Sequence, residues 1–313
     1  MSNRFVTVLV SCVMAAGAVG ITQISAQAAD TASAHDRQYF RDIAAHKFAI
    51  PPGASAAALA SELIAWLGSP DPELRDILAY SILDAWIGHA QLPDAHLTDA
   101  QLLTLLPQLQ HNLTIGIGSS GTDSVFLRSY SALILASFAE RDLQQPFLSP
   151  DQYRALLSSA FAYLRDERDN RGFDPVKGWV HSTAHTADLL ANLARNPQFT
   201  PADQQAVLSS IDQRLRRATT IYTYGEQDRL AVALLCVITR QDFALAGFQS
   251  WLDSVQQDSV VWQKDLPDPV QLALFENHNY LLEAMLARMP TQTPLSPAAT
   301  QARDAVRALL RKR

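Results

Sequence analysis

Cysteine is nearly absent from this 313-residue chain, which carries only Cys12 and Cys236. If the N-terminal segment is removed, no internal disulfide can form, and stability must come from packing. Cys236 sits in the apolar run LAVALLCVI and reads as a buried small hydrophobe. Basic runs are missing apart from Arg311-Lys312-Arg313, and the formal net charge is -6. Phosphate-backbone binding needs clustered Lys and Arg, so no nucleic-acid partner is expected; the terminal triplet complements a helix C-terminus. No apolar run reaches the ~20 residues that span a bilayer, so no stable membrane span is expected. Strand alternation and Asn-Gly hairpin signals are absent too. The best β-like window, residues 218–225 (ATTIYTYG), is short and lies between helices. Neither H-E-x-x-H nor a G-x-S-x-G elbow occurs.

What is present begins with an address. Arg4 gives a positive start, residues 5–21 are mostly apolar and small, and Ser25-Ala26-Gln27-Ala28 offers an A-x-A cleavage pattern. Residues 1–28 are expected to be a signal peptide cleaved after Ala28, leaving residues 29–313 as one domain in the periplasm or outside the cell. Cys12 in Leu9-Val10-Ser11-Cys12 matches a lipoprotein box, but too little apolar sequence precedes it.

Almost every later segment has helical spacing. Leu59, Leu63, Trp66 and Leu67 share a face, as do Leu74, Ile77, Leu78, Ile82, Ala85 and Trp86. Asp71-Pro72-Glu73, Thr98 with Gln101, Ser149-Pro150 with Gln152, Thr200-Pro201 with Asp203, and Ser296-Pro297 are helix starts. Pro107 should kink or split its helix. Ten or more helices joined by Pro-bearing turns predict an all-α fold, an irregular HEAT- or armadillo-like helical repeat (an α/α solenoid).

Three segments carry candidate chemistry. Gly116, Gly118 and Gly121 match G-x-G-x-x-G, with Glu140 about 20 residues on, but no strand precedes them. The plain reading is a Gly/Ser loop with Thr122 or Asp123 capping the next helix; its free N–H groups, with Arg128, would suit an anion. Residues 169–190 (DNRGFDPVKGWVHSTAHTADLL) are the most informative. Spacings of four and three put His181, His185 and Asp188 in one stripe of a helix. Such a trio fits a metal such as zinc, a polar pocket walled by Trp179, or histidines that satisfy a neighbouring helix. The third segment, residues 222–229, brings Glu226, Asp228 and Arg229 to the same edge, or simply places acids in a first helical turn. His278, near Glu276 and Asn279, reads as structural.

The windows LGSPDPELRDILAY, GTDSVFLRSYSALIL, GFDPVKGWVHSTAHTADLLANLARNP and YGEQDRLA, in this order and spacing, resemble the DUF2785 domain family of uncharacterised bacterial proteins over about residues 55–240. The resemblance implies an all-helical fold and no particular reaction. It implies that Asp123, Arg128, Trp179, His181, His185, Asp188, Glu226 and Arg229 form one recurrent set on one concave face. A secretion signal departs from the cytoplasmic setting associated with that family.

The expectation is an exported helical-repeat protein that binds a ligand or an envelope protein partner in a polar groove. Asp123, Arg128, Trp179, Asp228 and Arg229 are its ligand-binding candidates. The alternative is a metal-dependent hydrolase with His181, His185 and Asp188 as ligands and Glu226 as base. A purely structural envelope role is a third reading.

Overall fold

The computed structural model describes residues 34–88, 96–263, 265–289 and 294–313. The expected signal peptide, its cleavage point and Cys12 lie outside the described residues. Twelve α-helices are present among the described residues: α1 (Arg37–Ala45), α2 (Ala56–Trp66), α3 (Ser81–Ile87), α4 (Asp99–Asn112), α5 (Ser124–Gln144), α6 (Pro150–Asp166), α7 (Ser182–Arg195), α8 (Pro201–Arg216), α9 (Glu226–Ile238), α10 (Leu245–Gln256), α11 (Pro269–Arg288) and α12 (Pro297–Leu310). The only strands among these residues, β1 (Phe173–Asp174) and β2 (Gly178–Trp179), form a two-residue antiparallel hairpin with Phe173 opposite Trp179. No described helix is long and apolar enough to cross a membrane.

The helix starts follow the cap chemistry. Thr98, Ser149 and Thr200 accept from the N–H groups of Gln101, Gln152 and Asp203, whose side chains reach back to the caps. Asp71 Oδ1 accepts the Glu73 N–H at 2.9 Å. Pro107 does not split α4, which runs through it with one fewer backbone donor. Residues 73–87 were expected as one α-helix, yet Glu73–Tyr80 makes wider π turns before α3 begins. The Ser81 hydroxyl donates to the Asp76 carbonyl at 3.1 Å and fills part of that widened ladder. The change of pitch turns Ile77 outward, 59 % exposed, and Arg75 inward. The β-like window at 218–225 forms no strand, because a side chain takes the place of a neighbouring strand. Asn277 Oδ1 accepts the Tyr222 N–H at 2.8 Å and Asn277 Nδ2 donates to the Thr220 carbonyl at 3.0 Å.

Packing orders the helices into two series. Helix α5 lies against α7, α7 against α9 and α9 against α11; α6 lies against α8, α8 against α10 and α10 against α12. The apolar core runs without interruption from Phe40 to Leu309. Cys236 is half-buried against it, and burial pushes its thiol above the ordinary range, away from reactivity. His278 is enclosed between Asp258 (2.8 Å) and Asp212 (3.4 Å), both also paired with Arg216, as a structural histidine would be. Arg313 donates to the Val255 and Phe275 carbonyls, so the basic C-terminus stabilises other helices than its own.

Candidate functional site

Three fully buried arginines build the frame around α5, α7 and the loop between α6 and β1. Arg128 on α5 forks onto Glu167, with Nε to Oε2 at 2.6 Å and Nη2 to Oε1 at 3.1 Å. Its Nη1 donates to the Ile115 carbonyl and the Ser124 hydroxyl. Arg214 on α8 donates to the Glu167 and Asp169 carbonyls and to the Thr183 hydroxyl. Arg75 donates to the Ser69 and Lys177 carbonyls and lies over the rings of Phe126 (4.1 Å) and Tyr130 (4.9 Å). Of these only Arg128 stands out in the sequence, as a ligand-binding candidate. The Arg128 side chain has no exposed surface and is engaged by Glu167.

One of the N–H groups ahead of α5, read as suited to an anion, is met by a carboxylate of the chain itself. Asp169 accepts the Gly121 N–H at 2.9 Å and is gripped by Arg171 at 2.6 Å. Burial alone would raise the Asp169 carboxyl, but the Arg171 guanidinium and N–H outweigh it and hold it below its usual range. Asp123 makes no side-chain cap for α5 and instead pairs with Lys177 Nζ at 2.7 Å. Asp228 likewise pairs outward, with Arg288 at 2.8 Å.

The His181, His185 and Asp188 trio does not converge on one point, although the two imidazole rings stay edge-on at 5.6 Å. His181 stands before the helix with φ 47°, stacks on Trp179 at 4.3 Å, and its Nε2 lies 3.0 Å from the Tyr224 carbonyl. His185 Nδ1 lies 2.9 Å from Ser129 Oγ, and Asp188 takes Arg229 Nη1 at 2.7 Å. Each side chain therefore has a different partner on a different element. Among the described residues no group of three His, Cys, Asp or Glu side chains is placed to hold a metal ion. The positive φ at His181 breaks the helical register on which the zinc expectation rested. Glu226, the candidate base, is buried at the start of α9 with Oε2 accepting the Tyr224 N–H at 2.9 Å.

Two of the trio do share a cavity of about 430 Å³ with Arg229. His185, Asp188 and Asn192 line one side along α7; Ser137 and Glu140 come from α5, Arg229 from α9, and Tyr80 and Asp84 from the segment ahead of α5. The state of His185 follows from its neighbour. Ser129 Oγ has one proton and donates it to the Val180 carbonyl at 2.5 Å. Nδ1 of His185 must therefore be the donor to Ser129, which leaves Nε2 as a bare acceptor. Burial, aided by the nearby His181 and Arg229, holds this imidazole neutral, well below the ordinary value of 6.5. Asp188 moves up instead, because burial outweighs the Arg229 charge.

A pH dependence follows. A depressed imidazole keeps its proton in the unfolded chain but not in the fold, so folding stability falls as pH drops below 6.5 and levels off at the folded-state value. Each pH unit in that window costs up to about 1.4 kcal/mol per histidine. Burial shifts His181 in the same direction. Melting temperature should fall measurably between pH 6.5 and 5, and His185→Gln should flatten that slope; an unchanged slope in the variant would show that His185 carries no such shift.

Next to the cavity, β1, β2 and the 222–225 loop leave an aromatic patch half in solvent. Phe173 meets Trp179 at 4.9 Å and Tyr224 at 6.2 Å, edge-on and tilted respectively. Trp179 is 42 % exposed and Tyr224 48 %. Trp179 stands out in the sequence; Phe173 and Tyr224 do not, because only the hairpin brings them together.

None of the curated proteins and none of the solved structures matches this chain. One family does, over residues 113–287, more than half of the chain. That span begins later and ends later than the windows that suggested it, and leaves LGSPDPELRDILAY outside. The chain belongs to the family described as protein of unknown function (DUF2785).

Proposed function

We propose that this protein is an exported, non-catalytic helical-repeat binding protein that takes a small polar ligand in the cavity bounded by α5, α7 and α9. The two packing series, α5 to α11 and α6 to α12, support the repeat reading, because each helix pair stacks on the next. The observation that carries the binding reading is the lining itself. The Nε2 of His185 supplies an acceptor, the Asp84 and Asp188 carboxylates keep further lone pairs beside those taken by Ser137 and Arg229, and Tyr80, Asn192 and Arg229 supply donors, in a concave site fed by several helices. A ligand rich in hydroxyl or amino donors matches that set. Catalysis finds less support, because Glu226 holds a backbone N–H and the two histidines serve different partners. Export rests on the sequence of residues 1–28 alone.

The test is calorimetric titration of the purified protein with a panel of polyols, amino sugars and polyamines. At least one member should bind, and Asp188→Asn with Asn192→Ala should weaken it at least tenfold while far-ultraviolet dichroism stays unchanged. If no member binds, or if the variant binds as well as the parent, the cavity is not the site.

A further inference from the structure

A second cavity, of about 640 Å³, lies between the 168–173 loop and the 217–226 segment and shares no lining residue with the acceptor-rich one. Its walls carry Arg168, Arg171 and Arg217, the rings of Phe173 and Tyr224, and the buried carboxylate of Glu226.

The arrangement of charge is unusual. Arg168 Nη1 donates to the Arg165 carbonyl at 3.2 Å, and Arg217 Nη1 donates to the same oxygen. Two exposed guanidinium groups thus meet at one acceptor near the end of α6. Each spends one of its five donors on that carbonyl, a helix-end contact favoured by the dipole. No carboxylate among the described residues lies within ion-pair distance of either. Asp166 feels both charges, but its two oxygens are taken by Arg165 at 2.9 and 2.6 Å. Arg171 is neutralised by Asp169. Like charges held side by side repel, and an anion placed between them removes that repulsion while accepting their remaining donors.

The rest of the lining is not that of a bare anion hole. Tyr224 and Phe173 present half-exposed ring faces, and Thr219, Thr220, Thr223 and Asn170 add neutral hydrogen-bonding groups. Glu226 Oε2 is committed to the Tyr224 N–H, and its Oε1 faces Gly172, where an added Cβ would come within 2.3 Å. A carboxylate there repels a second anion but accepts from a hydroxyl. Paired guanidinium groups, an aromatic face and a hydroxyl acceptor together describe an acidic sugar.

We propose that this cleft binds an acidic saccharide unit. Its carboxylate or phosphate sits on Arg168 and Arg217, its ring packs on Tyr224 and Phe173, and a hydroxyl donates to Glu226. The site is separate from the acceptor-rich cavity, so either reading survives the failure of the other.

The experiment follows tryptophan fluorescence and calorimetry of the purified protein at low salt. Probes are trigalacturonate, its methyl ester, maltotriose, glucose 6-phosphate and inorganic phosphate. At least one of trigalacturonate and glucose 6-phosphate should bind; which one tells carboxylate from phosphate. Binding should weaken at least tenfold on raising salt to 0.5 M, and esterification or loss of the charge should weaken it as much. Arg168→Ala with Arg217→Ala should cost at least tenfold with an unchanged melting temperature, and the double Lys variant should recover part of it. Tyr224→Ala should weaken the sugar but not inorganic phosphate. Equal binding of maltotriose, full binding by the double Ala variant, inorganic phosphate binding as tightly as any sugar, or no binding by either acidic sugar would each overturn the proposal.

Discussion

Arg128→Met lowers folding stability by about 3–5 kcal/mol, the typical cost of breaking a buried ion pair. The reason is what the substitution leaves behind. Glu167 is 2 % exposed, and both its oxygens face the guanidinium, with Oε1 also accepting the N–H groups of Arg168 (2.7 Å) and Asp169 (2.8 Å). Without Arg128 its negative charge stays in a medium that solvates it poorly. The Ile115 carbonyl and Ser124 hydroxyl also lose a donor. Removing both partners is a different experiment: Arg128→Met with Glu167→Leu takes away the charge as well as its mate, and should recover more than half of the loss. Urea unfolding monitored by dichroism checks both. A single variant within 1 kcal/mol of the parent would mean that the pair is solvated and that the frame around α5 is not held by it.

Gly172→Ala should be the most damaging small substitution near the aromatic patch, at about 1–3 kcal/mol, the usual range for overpacking. The new Cβ would lie 2.3 Å from Glu226 Oε1, 2.5 Å from Tyr224 Cδ2 and 2.7 Å from Tyr224 Cβ. A flexible side-chain tip can swing away, but Tyr224 Cβ moves only with its backbone. Glu226 also holds the Tyr224 N–H, so the 222–226 segment has to shift as a unit. The Gly172 carbonyl accepts the Val180 and His181 N–H groups, at 2.9 and 3.2 Å, which ties the strain to the start of α7. Stability and acidic-sugar binding should therefore fall together. Gly118→Ala is the control, since a Cβ there meets nothing, and its positive φ leaves only backbone strain. A Gly172→Ala protein that melts and binds like the parent would show that the loop does not lie where it is described.

Helices and their caps were readable in the sequence because capping is local: Thr98, Ser149, Thr200 and Ser296 each act on a group three residues away. The polar frame was not. Arg75, Arg214, Glu167 and Asp169 look like surface residues of amphipathic helices and loops, and the partners that complete their burial include ones 39 to 102 positions away, which no local pattern announces. Helical spacing also misplaced Ile77, because the π turns change the pitch beneath it, and His181, because its backbone leaves the helix. Of the trio, His185 and Asp188 line one cavity with Arg229, while His181 stacks on Trp179 of the hairpin.

Nitrogen chemical shifts of the imidazole ring of His185 test the central claim most directly. The account predicts a neutral ring between pH 6 and 8 with the proton on Nδ1, and an Nε2 resonance that moves when a donor-rich ligand from the panel is added. A proton on Nε2, a ring that titrates near 6.5, or an Nε2 signal indifferent to every bound ligand would contradict it.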